Sequence, residues 1–551
     1  MRFLKQSFFF LLTLLPACLF AQVFSKAEFT RQDTLRGSLT PERIWWDVVH
    51  YDIAVQPDFD KRTISGTNTI TFKPVSTPTK MQIDLQEPMQ IDKVEHNGTA
   101  VSFTRNGNVF YLDLPAVLPL KSLQKITIHF SGTPKAAKNA PWDGGWIWKK
   151  DGNGNPWVSV ACQGLGASVW YPNKDHQSDE VDSAALTIVT PSNLKGVGNG
   201  RLRSVEKDAN ENMRYRWAVT NPINNYNIVP YIGTYTSFGE TLQGEKGPLD
   251  CTYWVLEEHL DKAKKQFTQV APMMKCFEHW FGPYPFYEDG YKLVDAPHLG
   301  MEHQSAVAYG NDFENGYKGR DLSGSGWGLK FDFIIIHETG HEWFGNNITA
   351  KDIADMWIHE SFTNYSETIY LNCLYGDSAA NAYVQGIRKN IANDIPIIGV
   401  YNVNREGSGD MYYKGANMLH MIRQMVGNDE KFRLMLRKMN QVYYHQTVTT
   451  AEVEDFLSKE TGLRLQKVFD QYLRTTKIPK LEINQQMKRN KLLLSYRWTD
   501  CVPGFDMRTR IKDASGNWVW ITPTEKWQKL KTGYTDMVDV KTLKDPNFYI
   551  R

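Results

Sequence analysis

The sequence predicts an α+β chain of several domains: a β-rich first part, a mostly helical middle and a small β-sandwich at the end. Three observations carry this. Apolar residues alternate with period two in the first and last parts. They recur at helical spacing in the middle. Aromatic content of 13% with 17 Trp suits a large packed core with a lined cleft.

Residues 1–21 read as an export signal. Arg2 and Lys5 give a positive start, Ser7 to Phe20 is an apolar run too short for a comfortable membrane span, and Ala21 supplies a small residue before the cut. A rival is the poor lipobox Leu15-Pro16-Ala17-Cys18, whose cleavage before Cys18 would leave a lipid-anchored protein. Pro16 and the apolar residues after Cys18 weigh against it, and the shortness of the run weighs against an uncleaved anchor. The expected location is therefore outside the cytoplasm: periplasm, cell surface or secreted. No later segment has enough unbroken apolar residues to cross a bilayer.

Residues 22–239 form the β-rich domain, with 22 to about 40 expected to be a loosely ordered lead. Tyr51-Asp52-Ile53-Ala54-Val55 and Thr67 to Phe72 alternate, and Pro57-Asp58 and Asn106-Gly107 punctuate them as turns. Residues 240–478 are read as mostly helical. Leu256 to Trp280 has helix-spaced apolar residues, Thr449-Thr450-Ala451-Glu452 is a capping box ahead of Val453, and Val468 to Leu473 closes the region. Residues 479–551 return to alternation in Leu481-Glu482-Ile483 and Leu493 to Trp498, with a turn at Gly516-Asn517.

The chain has 63 basic and 61 acidic residues. The signal carries Arg2 and Lys5 and no acid, so the mature chain is formally neutral, which argues against nucleic acid as the main partner. After Cys18, five cysteines remain: Cys162, Cys251, Cys276, Cys373 and Cys501. None has C-x-x-C spacing, so no zinc knuckle is suggested. The odd number leaves at least one thiol unpaired, and the sequence does not choose a disulfide pair.

The chemistry is concentrated in His337-Glu338-Thr339-Gly340-His341. On a helix, positions i and i+4 share a face, so two imidazoles can bind one zinc ion while the intervening Glu reaches a water on it. Glu360 follows His341 after eighteen residues and supplies a third ligand from a second helix. Two His plus one Glu leave a fourth position open, the mark of a catalytic rather than a structural zinc. With 13 His in the chain, H-E-x-x-H arises by chance in on the order of one or two per hundred such sequences, and a Glu at one fixed later position cuts that about twentyfold. Core histidines are the alternative, but they would bury Glu338 without a partner, which is costly. Zinc lowers the pKa of bound water from about 15.7 toward ~7. Glu338 would take a proton from that water and pass one to a leaving amine, which gives amide hydrolysis without a covalent intermediate.

The flanking residues bring a family into view. His337 to Thr349 resembles H-E-x-x-H-x-W-F-G-N-x-V-T, and Trp357 to Thr363 resembles W-L-N-E-G-F-A, with Glu360 on the ligand position. Ordered matches run from about Ile44 to Pro479. The chain thus resembles the aminopeptidase N family of zinc metallopeptidases, whose relatives include leukotriene A hydrolase. The resemblance implies a thermolysin-like catalytic domain, an N-terminal sheet domain, one zinc per chain, and peptides with a free N-terminus as substrates.

It also implies roles at three further places. Gly300-Met301-Glu302 in Leu299-Gly300-Met301-Glu302-His303 resembles the family's G-x-M-E-N: Glu302 would bind the substrate's α-amino group, and the backbone at Gly300 and Met301 would run beside the peptide like an added strand. Leu299 and His303 depart from that pattern, which puts side-chain specificity and pH optimum in question. Gln163, counted back from Pro172 and Asp175, falls where the family has a Glu or Gln that helps hold the amine; as an amide it adds no charge. Tyr412, two residues before Lys414 in a Y-x-K-G-A match, would donate to the oxyanion, with Tyr413 as a decoy. Asp355 and Glu367 are the nearest candidates for orienting the ligand imidazoles.

Many relatives carry a large helical domain after the sandwich that roofs the site. Its absence here leads to the expectation of a more open cleft, or of a roof lent by a second copy in a homodimer. The leading reading is an exported zinc aminopeptidase. The alternatives are a zinc endopeptidase with an open cleft and a silent peptide-binding scaffold, the latter disfavoured because His337, Glu338, His341, Glu360 and Tyr412 are all present. Epoxide hydrolysis, known in one relative, has no residue here to support it.

Overall fold

Trp46–Asp58 and Thr63–Pro74 pair antiparallel over almost their whole length, and Trp46–Asp58 also pairs in parallel with Ser183–Thr190. Alternate residues face a core of Tyr51, Ile53, Ile70, Phe72 and Ile128, as the period-two pattern requires. The result is an eight-stranded sheet, accompanied by a four-stranded and a three-stranded one. The computed structural model describes residues 29–78, 80–115 and 117–551; the expected signal, its cut after Ala21 and Cys18 lie outside them.

The expected loose lead is corrected within the described part. Arg31–Gly37 is a helix with a reciprocal Thr30–Asp33 capping box. The Arg43 guanidinium just beyond is fully buried, donating to the carbonyls of Arg36 and Ser38 and pairing with Asp84 at 2.7 Å. A buried cation with those partners ties the segment to the sheet domain.

A second correction concerns where helix begins. Tyr235–Gly244 and Gly247–Leu256 form a hairpin, and with Tyr291–Asp295, Val307–Tyr309 and Gly300–Met301 they build a five-stranded sheet in that spatial order. Leu256 ends a strand; the helix-spaced residues after it divide between Leu260–Gln266 and Val270–Phe281. Gly300–Met301 is the edge of this sheet, paired on one side only.

Helices then dominate, among them Phe333–Gly340, Trp357–Tyr375 and Tyr413–Val426. Thr450–Thr461 opens with the expected Thr449–Glu452 capping box. Cys276 and Cys373 form a disulfide across 97 positions, joining Val270–Phe281 to Trp357–Tyr375; Cys162, Cys251 and Cys501 are free thiols. The final strands make a three-stranded and a two-stranded sheet. Their Leu494, Trp498 and Ile511, with Phe548 beyond them, join the same hydrophobic core as the helices. The architecture is multidomain, with a β-rich N-terminal part and a helical part behind a sheet. Among the described residues no helix is long and apolar enough to cross a membrane.

Candidate active site

Phe333–Gly340 carries His337 and Glu338, and His341 follows at its end with helical backbone angles. The helix is started by Asp332, whose carboxylate accepts from the Ile334 and Ile335 amides and so satisfies two of the free N–H groups at the terminus. Ile334, Ile335 and Ile336 are buried. Helical spacing then turns His337 and His341 to one face, and their rings meet edge to face at 5.1 Å. Glu360 comes from the first turn of Trp357–Tyr375.

The three side chains converge. Glu360 Oε2 lies 3.6 Å from His337 Nε2 and 3.3 Å from His341 Nε2, and this buried oxygen has no hydrogen-bond partner. Tetrahedral ligands about 2.1 Å from a zinc ion stand about 3.4 Å apart, so the spacing and the orphaned oxygen fit the metal. A Glu338 oxygen also lies within 4.8 Å of the imidazole nitrogens. It faces Gly300, however: a Cβ there would come within 2.8 Å of Glu338 Oε1 and of Ile334 Cδ1. Glu360 is the better third donor, and Glu338 stands beside the trio.

The other ring nitrogens are engaged, as metal-binding imidazoles require. His337 Nδ1 lies 2.7 Å from Glu367 Oε1, and Glu367 is itself held by Asn364 and the Tyr383 hydroxyl. His341 Nδ1 lies 3.0 Å from the Phe344 carbonyl. Of the two acids suggested for this task, Glu367 performs it and Asp355 does not. Asp355 accepts from Tyr401 and Thr450 and so caps the Thr450–Thr461 helix.

Burial and neighbouring charges set the protonation. Burial pushes Glu338 up to about 7, opposed by His337 and His341, which suits a group that must take and return a proton. Burial also opposes the Glu360 charge, but the two imidazoles hold its carboxyl well below the usual range. Burial, Glu360 and Glu406 push the Tyr412 phenol far up, so it remains a donor. Its ring stacks over His337 at 5.9 Å. Tyr413 lines the same cavity but is influenced by Glu367 and Tyr317 instead.

Glu302 follows the edge strand and is 3% exposed. Its Oε1 accepts from Gln163 Nε2 at 2.5 Å and from the Tyr226 hydroxyl at 3.0 Å, and its carbonyl accepts from Asn346 Nδ2. Gln163 reaches it from the β-rich part. Burial raises the Glu302 carboxyl, with His341 opposing and Glu360 adding. Tyr226 was not anticipated; one Tyr among 26 offers no local signal. His303, expected as a titratable neighbour, is fully buried behind the strand, 2.5 Å from the Tyr231 hydroxyl. Burial holds it neutral, and it does not line the cavity, whereas Leu299 does. Gly300, Met301, Glu302, Gln163, His337, Glu338, His341, Glu360 and Tyr412 all border one cavity of about 340 Å³.

A His–His–Glu trio with a neighbouring free carboxylate, set on a helix pair behind a mixed sheet, defines a zinc-dependent hydrolase. Comparison with known proteins makes this specific. Residues 48–226 match the Peptidase M1 N-terminal domain and residues 271–472 the Peptidase family M1 domain, and the chain belongs to the M1 family of zinc metallopeptidases. It is 24% identical over 443 residues to Leukotriene A-4 hydrolase of Xenopus laevis, covering 76% of this chain and 68% of that one. It is 23% identical over 459 residues to Aminopeptidase N of Lactobacillus helveticus, covering 78% and 51%. The chain thus spans from 51% to 68% of the length of these relatives. Among solved structures it shares the fold of an M1 zinc metallopeptidase from Deinococcus radiodurans, at TM-score 0.65, 19% identity, and 76% and 91% coverage.

Proposed function

We propose that this protein is an exported zinc aminopeptidase that removes the N-terminal residue of peptides. The observation that carries the reading is Glu302: a buried carboxylate at the end of an open sheet edge, bordering the cavity that holds the His337–His341–Glu360 trio. A fixed anion there holds a free α-ammonium one residue from the reacting bond. Gln163 and Tyr226 both donate to it and so keep it aimed and favour its charged form against burial. The unpaired side of Gly300–Met301 offers main-chain groups to the peptide.

Bound zinc would supply Lewis acidity and a water of lowered pKa. Glu338 takes the proton of the attacking water and returns it to the leaving amine. The Tyr412 hydroxyl donates to the oxyanion. Glu367, through Nδ1, fixes His337 as an Nε2 donor. Related proteins named as aminopeptidases and a related structure in which a glutamate-to-alanine variant is bound to the substrate Tyr-Ser-Ala support a peptide with a free amine. The Cys276–Cys373 disulfide favours an oxidising compartment and agrees with the charged, then apolar, first twenty residues.

Aminoacyl-anilides tested on wild type and Glu338→Gln, with zinc content measured in both, check the mechanism. Zinc is retained, and activity falls by about 10³-fold or more, within the range for loss of a general base. Equal activity in the two would overturn it. A free-amine peptide should be cut and its N-acetylated twin spared; cleavage of both would favour an endopeptidase.

A further inference from the structure

One ionisable group in the cavity has no part in that mechanism. Glu406 lines the same space as Glu302, Glu360 and Tyr412. Its carboxylate has no hydrogen-bond or ion-pair partner among the described residues. It lies beside Gly164, where an added Cβ would come within 3.2 Å of Glu406 Oε1, and Gly164 adjoins Gln163, which holds Glu302. Arg36, which reaches the neighbouring Gly164, is turned to its carbonyl and to Asp175. Burial, with Glu360 and Glu302 adding, pushes the Glu406 carboxyl up to about 7.

Charge counting shows what is missing. Glu302, Glu338, Glu360 and Glu406 put four carboxylates around one cavity. Were all four ionised, a zinc ion and one substrate ammonium would leave one uncompensated; a second cation on the substrate would favour the charged form of Glu406. The α-ammonium is already taken by Glu302. The walls of the same cavity include Trp142, Leu165, Tyr317 and Phe333, which suit an aliphatic stem ending in a cation.

We propose that Glu406 selects the first residue of the substrate, so that the cavity takes peptides beginning with arginine or lysine. This rests on the aminopeptidase reading and deepens it: Glu302 and Gln163 hold the main-chain amine, and Glu406 meets the side-chain cation. Arginine and citrulline have the same shape and differ in charge, so they isolate this contact.

Binding of arginine amide and citrulline amide to the zinc-loaded protein carrying Glu338→Gln, which should not hydrolyse them, is measured by calorimetry with Glu406 intact and with Glu406→Gln. Hydrolysis of the matching anilides by wild type is followed alongside. With Glu406 intact, arginine should be favoured by about tenfold or more, as a charge-assisted contact provides, and the ratio should fall toward one in Glu406→Gln. Equal binding with Glu406 intact, or a preference that survives Glu406→Gln, would overturn the assignment. If Glu406 held the α-amine instead, the substitution would weaken both amides alike and leave the ratio unchanged, which also overturns it. The calorimetric arm does not depend on turnover. Binding selectivity without hydrolysis of any anilide would therefore sink the aminopeptidase reading while leaving the Glu406 contact standing.

Discussion

Gly300 meets Glu338 with no room for a methyl group. Glu338 is thus positioned from one side by its own helix and from the other by the bare backbone of the sheet edge. Gly300→Ala should displace the carboxylate, and a shift of about 1 Å in a reacting group costs roughly 100-fold in rate. The measurement is kcat with zinc content held equal; an unchanged kcat would show that Glu338 does not need this wall. The pH profile belongs to the same residue. Burial raises Glu338 to about 7, and a nearby dication acts the other way. On the proposed role as base, Glu338 works deprotonated, so kcat/KM should fall as pH drops, with its acid limb at or below pH 7. Glu338→Gln should remove that limb from any residual activity. Tyr226 and Glu406 mark the limit of reading at this scale: Tyr226 is brought to Glu302 and Glu406 to the cavity by chain distant from the zinc motif, and neither sits in a recognisable string.

At the scale of elements, the pair Phe333–Gly340 and Trp357–Tyr375 does most to place the metal donors. The link between them is Glu367, on the helix that also supplies Glu360, reaching back to His337. Glu367→Gln should retain the fold and weaken zinc binding by about 10- to 100-fold, read by competition with a chelator. An unchanged affinity would reduce Glu367 to packing. These helices were legible in the sequence because the i, i+4 pair, the acidic ligand and the capping residues all lie within short windows. The sheet in front of them was not. Tyr291–Asp295 and Val307–Tyr309 are buried throughout and show no alternation, so they cannot be told from buried helix by periodicity. Asp355 and His303 misled for a related reason. Both sit close in sequence to site residues, yet Asp355 is aimed at the Thr450 cap and His303 at Tyr231.

At the scale of the whole molecule, the cavity is assembled from two cores. Gln163 belongs to the β-rich part, while His337, His341, Glu360 and Tyr412 belong to the helical part behind the sheet. The carboxylates that meet there repel one another, so the ion should contribute to the stability of the whole structure as well as to turnover. Removing zinc by dialysis against a chelator should lower the thermal midpoint. Micromolar zinc should restore it by binding the folded form alone, and magnesium, which prefers six oxygen ligands, should not. An identical midpoint with and without zinc would mean that the trio is not a filled metal centre. The open margin at Gly300–Met301 has a last consequence. Recognition through main-chain pairing is blind to most side chains but needs an amide hydrogen, which proline lacks. Stepwise trimming of a mixed peptide would therefore run freely along ordinary stretches and stall wherever an imino acid comes into register with that margin.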